Sequence, residues 1–292
     1  MSAGWAVVHE RFRFILLGAY PRDQQWRPAL AIVLFVALYV LSARRACWRP
    51  WLPAAWLAIL TGAIVLMRGG PLGLARVPTE SWGGLPLTLL LATVGFAAAF
   101  PPGVALALGR RSALPAIRAL SIAYIEVMRG VPLVTFLFMA SLMFPLFVPA
   151  GFTIDKLLRA QAALALVQAA YLAEVVRAGL EAVPAGQREA AASLGLRFGP
   201  ATVLVVLPQA LRISIPALVN TFIGFFKDTT LVTVIGLFDL LGTARAVIVD
   251  PRWFGAAVPV YLLVAAVYFT FCFAVSRYSQ HIERSLMAHG HQ

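Results

Sequence analysis

The chain has 292 residues, of which 61% are hydrophobic and only 12% are charged. A soluble domain carries about 25% charged residues and needs polar surface to cover its core, so this composition excludes a soluble globular protein. The formal net charge of +12 would suggest nucleic acid in a soluble protein, but Lys156 and Lys227 are the only lysines and no basic block is present. The arginines lie mainly between apolar runs, which is typical of membrane-protein loops that face anionic lipid. We therefore expect membrane lipid and no nucleic acid as a partner.

Long stretches without charge set the fold class. Residues 83–109, 130–154 and 254–275 contain no Asp, Glu, Lys or Arg. A helix that crosses about 30 Å of hydrocarbon needs roughly 20 apolar residues. The sequence therefore predicts an all-α, polytopic membrane protein.

The predicted elements in chain order begin with residues 5–20, which indicate an interfacial amphipathic segment. Seven predicted spans follow, at 29–43, 51–67, 84–109, 114–148, 160–181, 200–225 and 254–277. The run 114–148 is too long for one straight helix. Gly130-Val131-Pro132 predicts a kink or break in it, because Pro132 lacks a backbone donor and clashes with the preceding turn. Residues 226–253 predict a partly apolar re-entrant or interfacial hairpin.

The basic residues indicate an orientation. About half of them fall on one side of the seven-span arrangement, and the positive-inside rule places that side in the cytoplasm. Loops 44–50, 109–113 and 182–199 and the C-terminus would then be cytoplasmic. The N-terminal arginines would lie outside, which leaves two alternatives: they lie on the membrane surface, or the natural chain has a further span upstream. No second folded domain is predicted.

Ionisable residues inside apolar runs are costly, so each is a functional candidate by default. Glu126 and Arg129 are three residues apart and are predicted to pair on one helix face. They are either a structural pair or part of a pathway wall beside the break. Glu174, Arg177 and Glu181 form a second stripe, which we interpret as structural or gating pairs.

A polar segment follows the predicted span 200–225. An amino-acid zwitterion needs donors for its carboxylate and acceptors for its ammonium group. The hypothetical substrate-pathway residues are Glu126, Arg129, Asn220, Lys227, Asp228 and Thr229. The alternative is that Lys227 and Asp228 cap the helix at the outer surface.

Several chemical signatures are absent from the sequence. No G-x-x-x-x-G-K-[ST] phosphate loop and no H-E-x-x-H motif occur, and the four histidines lie near the termini. Cys47 and Cys272 stand singly and suggest no disulfide framework or metal pair. The sequence therefore predicts no catalytic, cofactor or metal residues in this chain, and it disfavours a membrane-embedded enzyme. A self-contained, ion-coupled secondary transporter of small polar solutes remains an alternative.

Residues 184–208 are the connection with a distinctive pattern. A short helix is predicted to begin at Pro184, which the first turn tolerates, and to end at Gly195, which can adopt the left-handed conformation. A second short helix is predicted next, interrupted by Pro208. Two short helices would form a compact knob whose alanines allow close approach of a partner, with Arg188 and Glu189 at its rim. An amphipathic hairpin with no partner is the alternative.

The spacing in this loop resembles the EAA loop of ABC-importer permeases. Glu189-Ala190-Ala191 is followed after three residues by Gly195 and after nine more by Val205-Val206-Leu207-Pro208, with Val205 where the family has Ile. Two further segments, Arg129-Gly130-Val131-Pro132-Leu133 and residues 220–231, resemble histidine/glutamine-type amino-acid permeases. The resemblance covers about residues 84–285 and is greatest to the M-type permease subunit of general L-amino-acid importers.

The resemblance implies a domain plan. Residues 81–285 would form a type I ABC-importer permease domain with a core of five transmembrane helices. An N-terminal extension at 1–80 would add about two transmembrane helices, and 286–292 would be a short tail. The coupling loop would lie at 184–208. The implied ATPase-coupling residues are Arg188, Glu189, Ala190, Ala191, Gly195 and Pro208.

The resemblance also implies a function. The chain would be the non-catalytic permease subunit of an ATP-driven amino-acid importer, would form the translocation pathway and would work by alternating access. ATP and Mg would be bound by a separate ATPase that docks on the coupling loop. The implied partners are two ATP-binding subunits, a related permease subunit in a heterodimer, and a periplasmic amino-acid-binding protein. The implied location is a bacterial inner membrane.

Overall fold

A computed structural model describes residues 3–44, 49–70, 73–149, 151 and 153–288. Helices make up nearly all of its regular structure. They are α1 (Ala3–Leu17), α2 (Trp26–Ala43), α3 (Leu52–Arg68), α4 (Gly84–Arg110), α5 (Pro115–Gly130), α6 (Leu133–Phe138), α7 (Lys156–Ala182), α8 (Ala185–Ser193), α9 (Phe198–Ala201), α10 (Leu207–Asp228), α11 (Leu240–Ile248) and α12 (Ala257–Ala288). A two-residue strand, β1 (Phe238–Asp239), forms bridges with Gly83 and Gly84.

The helix lengths confirm the predicted all-α membrane fold. Five helical segments in the described chain are long and apolar enough to cross a membrane. They are Arg22–Ala43, Gly84–Arg110, Lys156–Ala182, Phe198–Ile235 and Ala257–Glu283. The bent pair Pro115–Gly130 and Leu133–Phe147 adds a sixth if it counts as one span, and α3 is a shorter apolar helix. Every predicted apolar run is thus largely helical, although α3 has only 17 residues.

The predicted break in the run 114–148 is a sharp bend. Helix α5 ends at Gly130, and the following apolar helix leaves at 97° to it. Val131 is extended, with φ −106° and ψ 136°, because the ring of a following proline disfavours the helical conformation. Beyond α6 the chain continues through a π-helical turn, Met139–Met143, and a 3-10 turn, Phe144–Phe147. The run 114–148 is therefore not one straight span.

Residues 226–253 connect α10 to α12 through short helical elements and a turn. A 3-10 segment, Thr229–Ile235, extends α10 and ends at Gly236, whose φ of +78° is left-handed. β1 and α11 follow, and the 3-10 turn Pro251–Trp253 closes the segment. The helical segments on either side of Gly236 agree with the predicted hairpin in having a turn between two short elements.

The contacts divide the chain into two compact units. The first consists of the residues up to Gly95, Leu133–Leu164 and Phe226–Phe271. The second consists of Phe96–Pro132, Ala165–Phe225 and the chain from Cys272 onward.

Helix α1 packs on α11 in the first unit. Val7 and Ile15 are buried in one apolar cluster with residues of α11, including Leu240 and Ala244. The Thr243 hydroxyl donates to the backbone oxygen of Ile15 at 2.8 Å. The predicted amphipathic segment 5–20 is therefore largely helical, and part of its apolar surface is covered by protein.

The second unit has a core of small and branched side chains from α4, α5, α7 and the beginning of α10. Its buried members are Ala107, Ile125, Ala173, Val176, Leu180, Val183, Val206 and Ala210. Small residues let membrane helices approach closely. At Gly179 a Cβ atom would overlap the hydroxyl of Ser214, so α7 and α10 meet at a glycine. This packing fixes the two helices that flank the coupling loop.

Candidate functional site

The coupling loop, residues 184–208, begins as the sequence predicts. Pro184 is extended and precedes α8, which ends at Ser193. Gly195 has φ +79°, and the chain reverses there. The N–H groups of Gly195 and Leu196 donate to the oxygens of Ala192 and Ala191 at 2.9 and 3.1 Å, which satisfies carbonyls at the helix end.

The second half of the loop differs from the prediction at Pro208. Helix α9 passes through a π-helical turn, Thr202–Val206, directly into α10. Pro208 lies in the first turn of α10, where its missing N–H does not end the helix. The predicted interruption is therefore wrong: the chain widens before the proline and remains helical.

The outer surface of the loop carries both polar and apolar groups. Glu189, Ala190, Gly195 and Pro208 are exposed, whereas Ala191 is buried. Within the described chain, no hydrogen bond or ion pair of the Glu189 carboxylate is found. Leu194 and Phe198, in the same loop, are 83% and 75% exposed and were missed at the sequence level. Exposed apolar side chains around a charge are typical of a contact surface for another protein.

Two contacts hold the loop against the helices that flank it. Arg188 is half-buried, and its Nη2 donates to the backbone oxygen of Leu180 in α7 at 3.1 Å. Gln209 Nε2 donates to Gln187 Oε1 at 3.1 Å and to the Val205 oxygen at 2.9 Å. Arg188 therefore attaches α8 to α7 rather than extending from the rim.

A charged network lies at the ends of α4, α5 and α7. Glu174 is its centre: Arg110 Nη1 is 2.8 Å from Oε1, and Arg177 Nε is 3.1 Å from Oε2. Arg129 Nη1 is 3.8 Å from Oε2. Arg177 also pairs with Glu181 at 2.7 Å, so the predicted stripe on α7 forms. Sequence reasoning missed the central role of Glu174, although an acid within an apolar run was a usable signal.

Glu126 and Arg129 have other partners instead of each other. Glu126 is 61% exposed and faces Arg110 at 3.4 Å. The Arg129 guanidinium lies 5.6 Å from the ring centroid of Tyr171 and close to Glu174. Glu174 is only 18% exposed, and the lower local dielectric around it strengthens its attraction for arginine. The predicted pair on one helix face is therefore replaced by contacts between helices.

The remaining candidate pathway residues lie along α10 and just beyond it. Asn220 is exposed, and Lys227 and Asp228 are exposed at the end of α10. Thr229 is fully buried, and its hydroxyl donates to the Phe226 oxygen at 2.9 Å. The Thr229 hydroxyl is thus occupied by the backbone, whereas the other three side chains are accessible.

A buried acid at the start of α11 was also missed. The Asp239 carboxylate accepts hydrogen bonds from the Gly242 N–H at 2.8 Å and from the Thr233 and Tyr268 hydroxyls at 3.1 Å. Burial raises the pKa of Asp239, and these three donors partly oppose that rise. An Asp three residues before Gly242 at the start of an apolar helix is an N-cap pattern that could have revealed it. Its contacts assign it a structural role.

Comparison with known proteins identifies the family of this chain. The family model for a binding-protein-dependent transport system inner membrane component matches residues 99–287. The chain is 50% identical to the inner membrane amino-acid ABC transporter permease protein YhdY of Escherichia coli K12, over 97% of this chain and 78% of that protein. This chain belongs to that permease family. The glutamate/glutamine/aspartate/asparagine transport system permease protein BztC of Rhodobacter capsulatus is 38% identical, over 98% of this chain and 79% of its own.

A solved structure agrees with the sequence relatives. The crystal structure described as an amino acid ABC transporter with histidines aligns with a TM-score of 0.61 at 34% identity, covering 69% of this chain and 92% of that one. The permease is therefore a non-catalytic membrane subunit of an ABC transporter and works with an ATP-binding partner. An ion-coupled secondary transporter or a membrane-embedded enzyme does not fit this family.

Proposed function

We propose that this permease forms the translocation pathway of an ATP-driven amino-acid importer in a bacterial inner membrane. The names of YhdY and BztC, as amino-acid permeases, support the substrate class. In this proposal the permease pairs with a related permease subunit, two ATP-binding subunits bind ATP and Mg, and a periplasmic protein delivers the amino acid. The observation that carries the proposal is the exposed loop 184–208, which presents an acid and apolar side chains with no cover in the described chain.

The proposed coupling residues divide into two groups. Glu189, Ala190, Gly195 and Pro208 form the exposed contact surface, where small residues allow a partner to approach closely. Arg188 and Ala191 position that surface, because Arg188 bonds to α7 and Ala191 is buried. Movement of the ATP-binding subunits would thereby reach α7 and α10, the two helices to which the loop is attached.

A charge reversal tests the coupling surface. Glu189→Lys places a cation where a partner would meet a carboxylate, so we expect loss of the ATP-binding subunits from the purified complex and loss of ATP-dependent uptake. Since Glu189 is exposed and makes no ion pair in the described chain, the permease itself should remain folded and present in the membrane. Glu283→Lys, at an exposed acid outside the loop, is the matched control. Intact association and uptake in Glu189→Lys would contradict the coupling role.

The proposed substrate pathway consists of Glu126, Arg129, Asn220, Lys227, Asp228 and Thr229. Each unit supplies one cation suited to a substrate carboxylate and one carboxylate suited to an ammonium group: Arg129 with Glu126 in the second unit, and Lys227 with Asp228 in the first. Thr229 would act indirectly, because its hydroxyl donates to the backbone oxygen of Phe226 and fixes the end of α10. We expect Arg129→Ala and Lys227→Ala to reduce uptake while the complex still assembles. Unchanged uptake in both variants would remove these residues from the pathway.

The proposed domain division follows the resemblance. Residues 1–80 would be the extension that contains α2 and α3, 81–285 the permease domain with the coupling loop, and 286–292 a short tail. Support comes from the family match, which begins at residue 99 and leaves α1, α2 and α3 outside.

A further inference from the structure

A cavity lies between the coupling loop and the ends of α4 and α7, and its chemistry differs from that of the exposed contact surface. Its volume is about 220 Å³, and the ends of α4 and α7 and the residues of α9 and the π-helical turn line it. Its apolar walls include Leu108, Phe198 and Val203. Two cationic side chains, Arg111 and Arg188, also line it, and the lining includes no acid.

One guanidinium nitrogen of Arg111 is unpaired among the described residues. This atom, Nη1, is also buried. Burial is the largest effect that lowers the pKa of Arg111, and the charge of Arg188 is the next. Glu181 is the acid near enough to oppose this effect, but its carboxylate is bonded to Arg177 at 2.7 Å. Arg111 is half-buried, and a buried guanidinium nitrogen without an acceptor is costly, so the site is complementary to an anion.

We propose that this cavity binds the phosphate group of an anionic phospholipid between Arg111 and Arg188. A guanidinium presents paired N–H donors that match phosphate oxygens. The two guanidinium groups can neutralise the single negative charge of a phosphodiester, and no acid in the lining competes for them. The apolar walls suit the glycerol and upper acyl atoms of a lipid. A free phosphate ion would make no apolar contact with these walls. The cavity lies at the ends of α4 and α7, two helices long and apolar enough to cross a membrane, and the end of such a helix meets the headgroup region.

The bound lipid would connect two parts of the permease. Arg111 lies in the connection after α4, and Arg188 lies in α8 of the coupling loop. A phosphate between them would remove their mutual repulsion and fix α8 relative to α4. The orientation of the coupling loop would then depend on anionic lipid. The binding itself does not rest on the proposed function, because it is measured without transport.

Native mass spectrometry of the assembled transporter tests this binding. The complex is taken from nanodiscs of phosphatidylcholine alone or of phosphatidylcholine with phosphatidylglycerol, and retained phosphatidylglycerol is counted. We expect Arg111→Gln and Arg188→Gln each to weaken retention of one phosphatidylglycerol about ten- to a hundredfold, the loss of a charged hydrogen bond. Arg118→Gln, at an exposed arginine outside the cavity, should retain wild-type binding. Arg111→Gln removes the repulsion between Arg111 and Arg188. The complex that carries this variant should therefore melt at or above the wild-type temperature in phosphatidylcholine alone.

The other outcomes overturn the proposal. Wild-type retention in both cavity variants would exclude lipid from this site. If millimolar inorganic phosphate stabilises the wild type in lipid-free detergent and phosphatidylglycerol does not, the site takes a free phosphate instead. If both arginine variants lose the ATP-binding subunits and lipid retention does not change, the arginines bind an acidic segment of that partner. Loss of uptake with normal lipid retention in Arg188→Gln would support the coupling role of Arg188 and contradict this lipid site. Loss of lipid retention with normal uptake would support the lipid site and contradict that coupling role.

Discussion

At the scale of single residues, Glu174 explains how an apolar helix can carry an acid. Among the described residues it has more cationic partners than any other acid, and these partners come from α4, α5 and α7 itself. A carboxylate that is only 18% exposed is tolerated because the surrounding guanidinium groups replace its hydration. Its surroundings thus make Glu174 a connection between three helices.

Removing that charge should destabilise the permease. In Glu174→Gln, Arg110 and Arg129 keep their charges but lose the carboxylate they share, so we expect a loss of about 2 kcal/mol, the scale of a charged hydrogen bond. Thermal unfolding of the purified complex in detergent measures it. Glu181→Gln is the control, because Glu181 is 57% exposed and Arg177 retains Glu174; its cost should stay below about 1 kcal/mol. Equal costs for the two variants would contradict the central role of Glu174.

At the scale of elements, the coupling loop depends on one backbone conformation. Gly195 has φ +79°, and a Cβ atom there would meet no other group within 4 Å. Gly186 in α8 also has open space around it but has no positive φ. The two positions therefore differ in backbone strain and not in crowding.

This difference yields a paired prediction. Gly195→Ala should cost about 1 kcal/mol, because an L-residue is strained in the left-handed region. If the loop couples to the ATP-binding subunits as proposed, the variant should also lower the ATP hydrolysis of the complex. Gly186→Ala should be neutral or stabilising by up to about 1 kcal/mol, because alanine favours the helix. Coupled ATP hydrolysis and the melting temperature of the complex measure both. A Gly186→Ala defect as large as that of Gly195→Ala would show that the loop responds to bulk rather than to backbone conformation.

Elements that depend on local chemistry could be predicted from the sequence. The break at Pro132 and the reversal at Gly195 follow from covalent constraints at those residues, and the long helices follow from uncharged runs. The π-helical turns could not be predicted, because contacts from distant residues accompany them. Arg159, for example, donates to the oxygens of Ala140 and Ser141 within the turn Met139–Met143.

At the scale of the whole molecule, the coupling loop could be predicted from local sequence, whereas the contacts between helices around it could not. The coupling loop is contiguous, so the spacing of Glu189, Gly195 and Pro208 is visible in the sequence. The network around Glu174 joins residues 64 apart in the chain, and the pairing of Arg110 with that acid has no local signature. Part of the positive charge that we assigned to loops from the sequence belongs to arginines that pair with Glu174 in this network.

As the permease of an ATP-driven amino-acid importer, this chain should support amino-acid uptake that depends on ATP. The most direct measurement is uptake of labelled L-amino acids into proteoliposomes that contain the permease, its related permease subunit and the ATP-binding subunits, with the binding protein added outside. We expect uptake that requires internal ATP and the binding protein and is lost in Glu189→Lys. Uptake by the permease alone, driven by an ion gradient without ATP, would contradict this function.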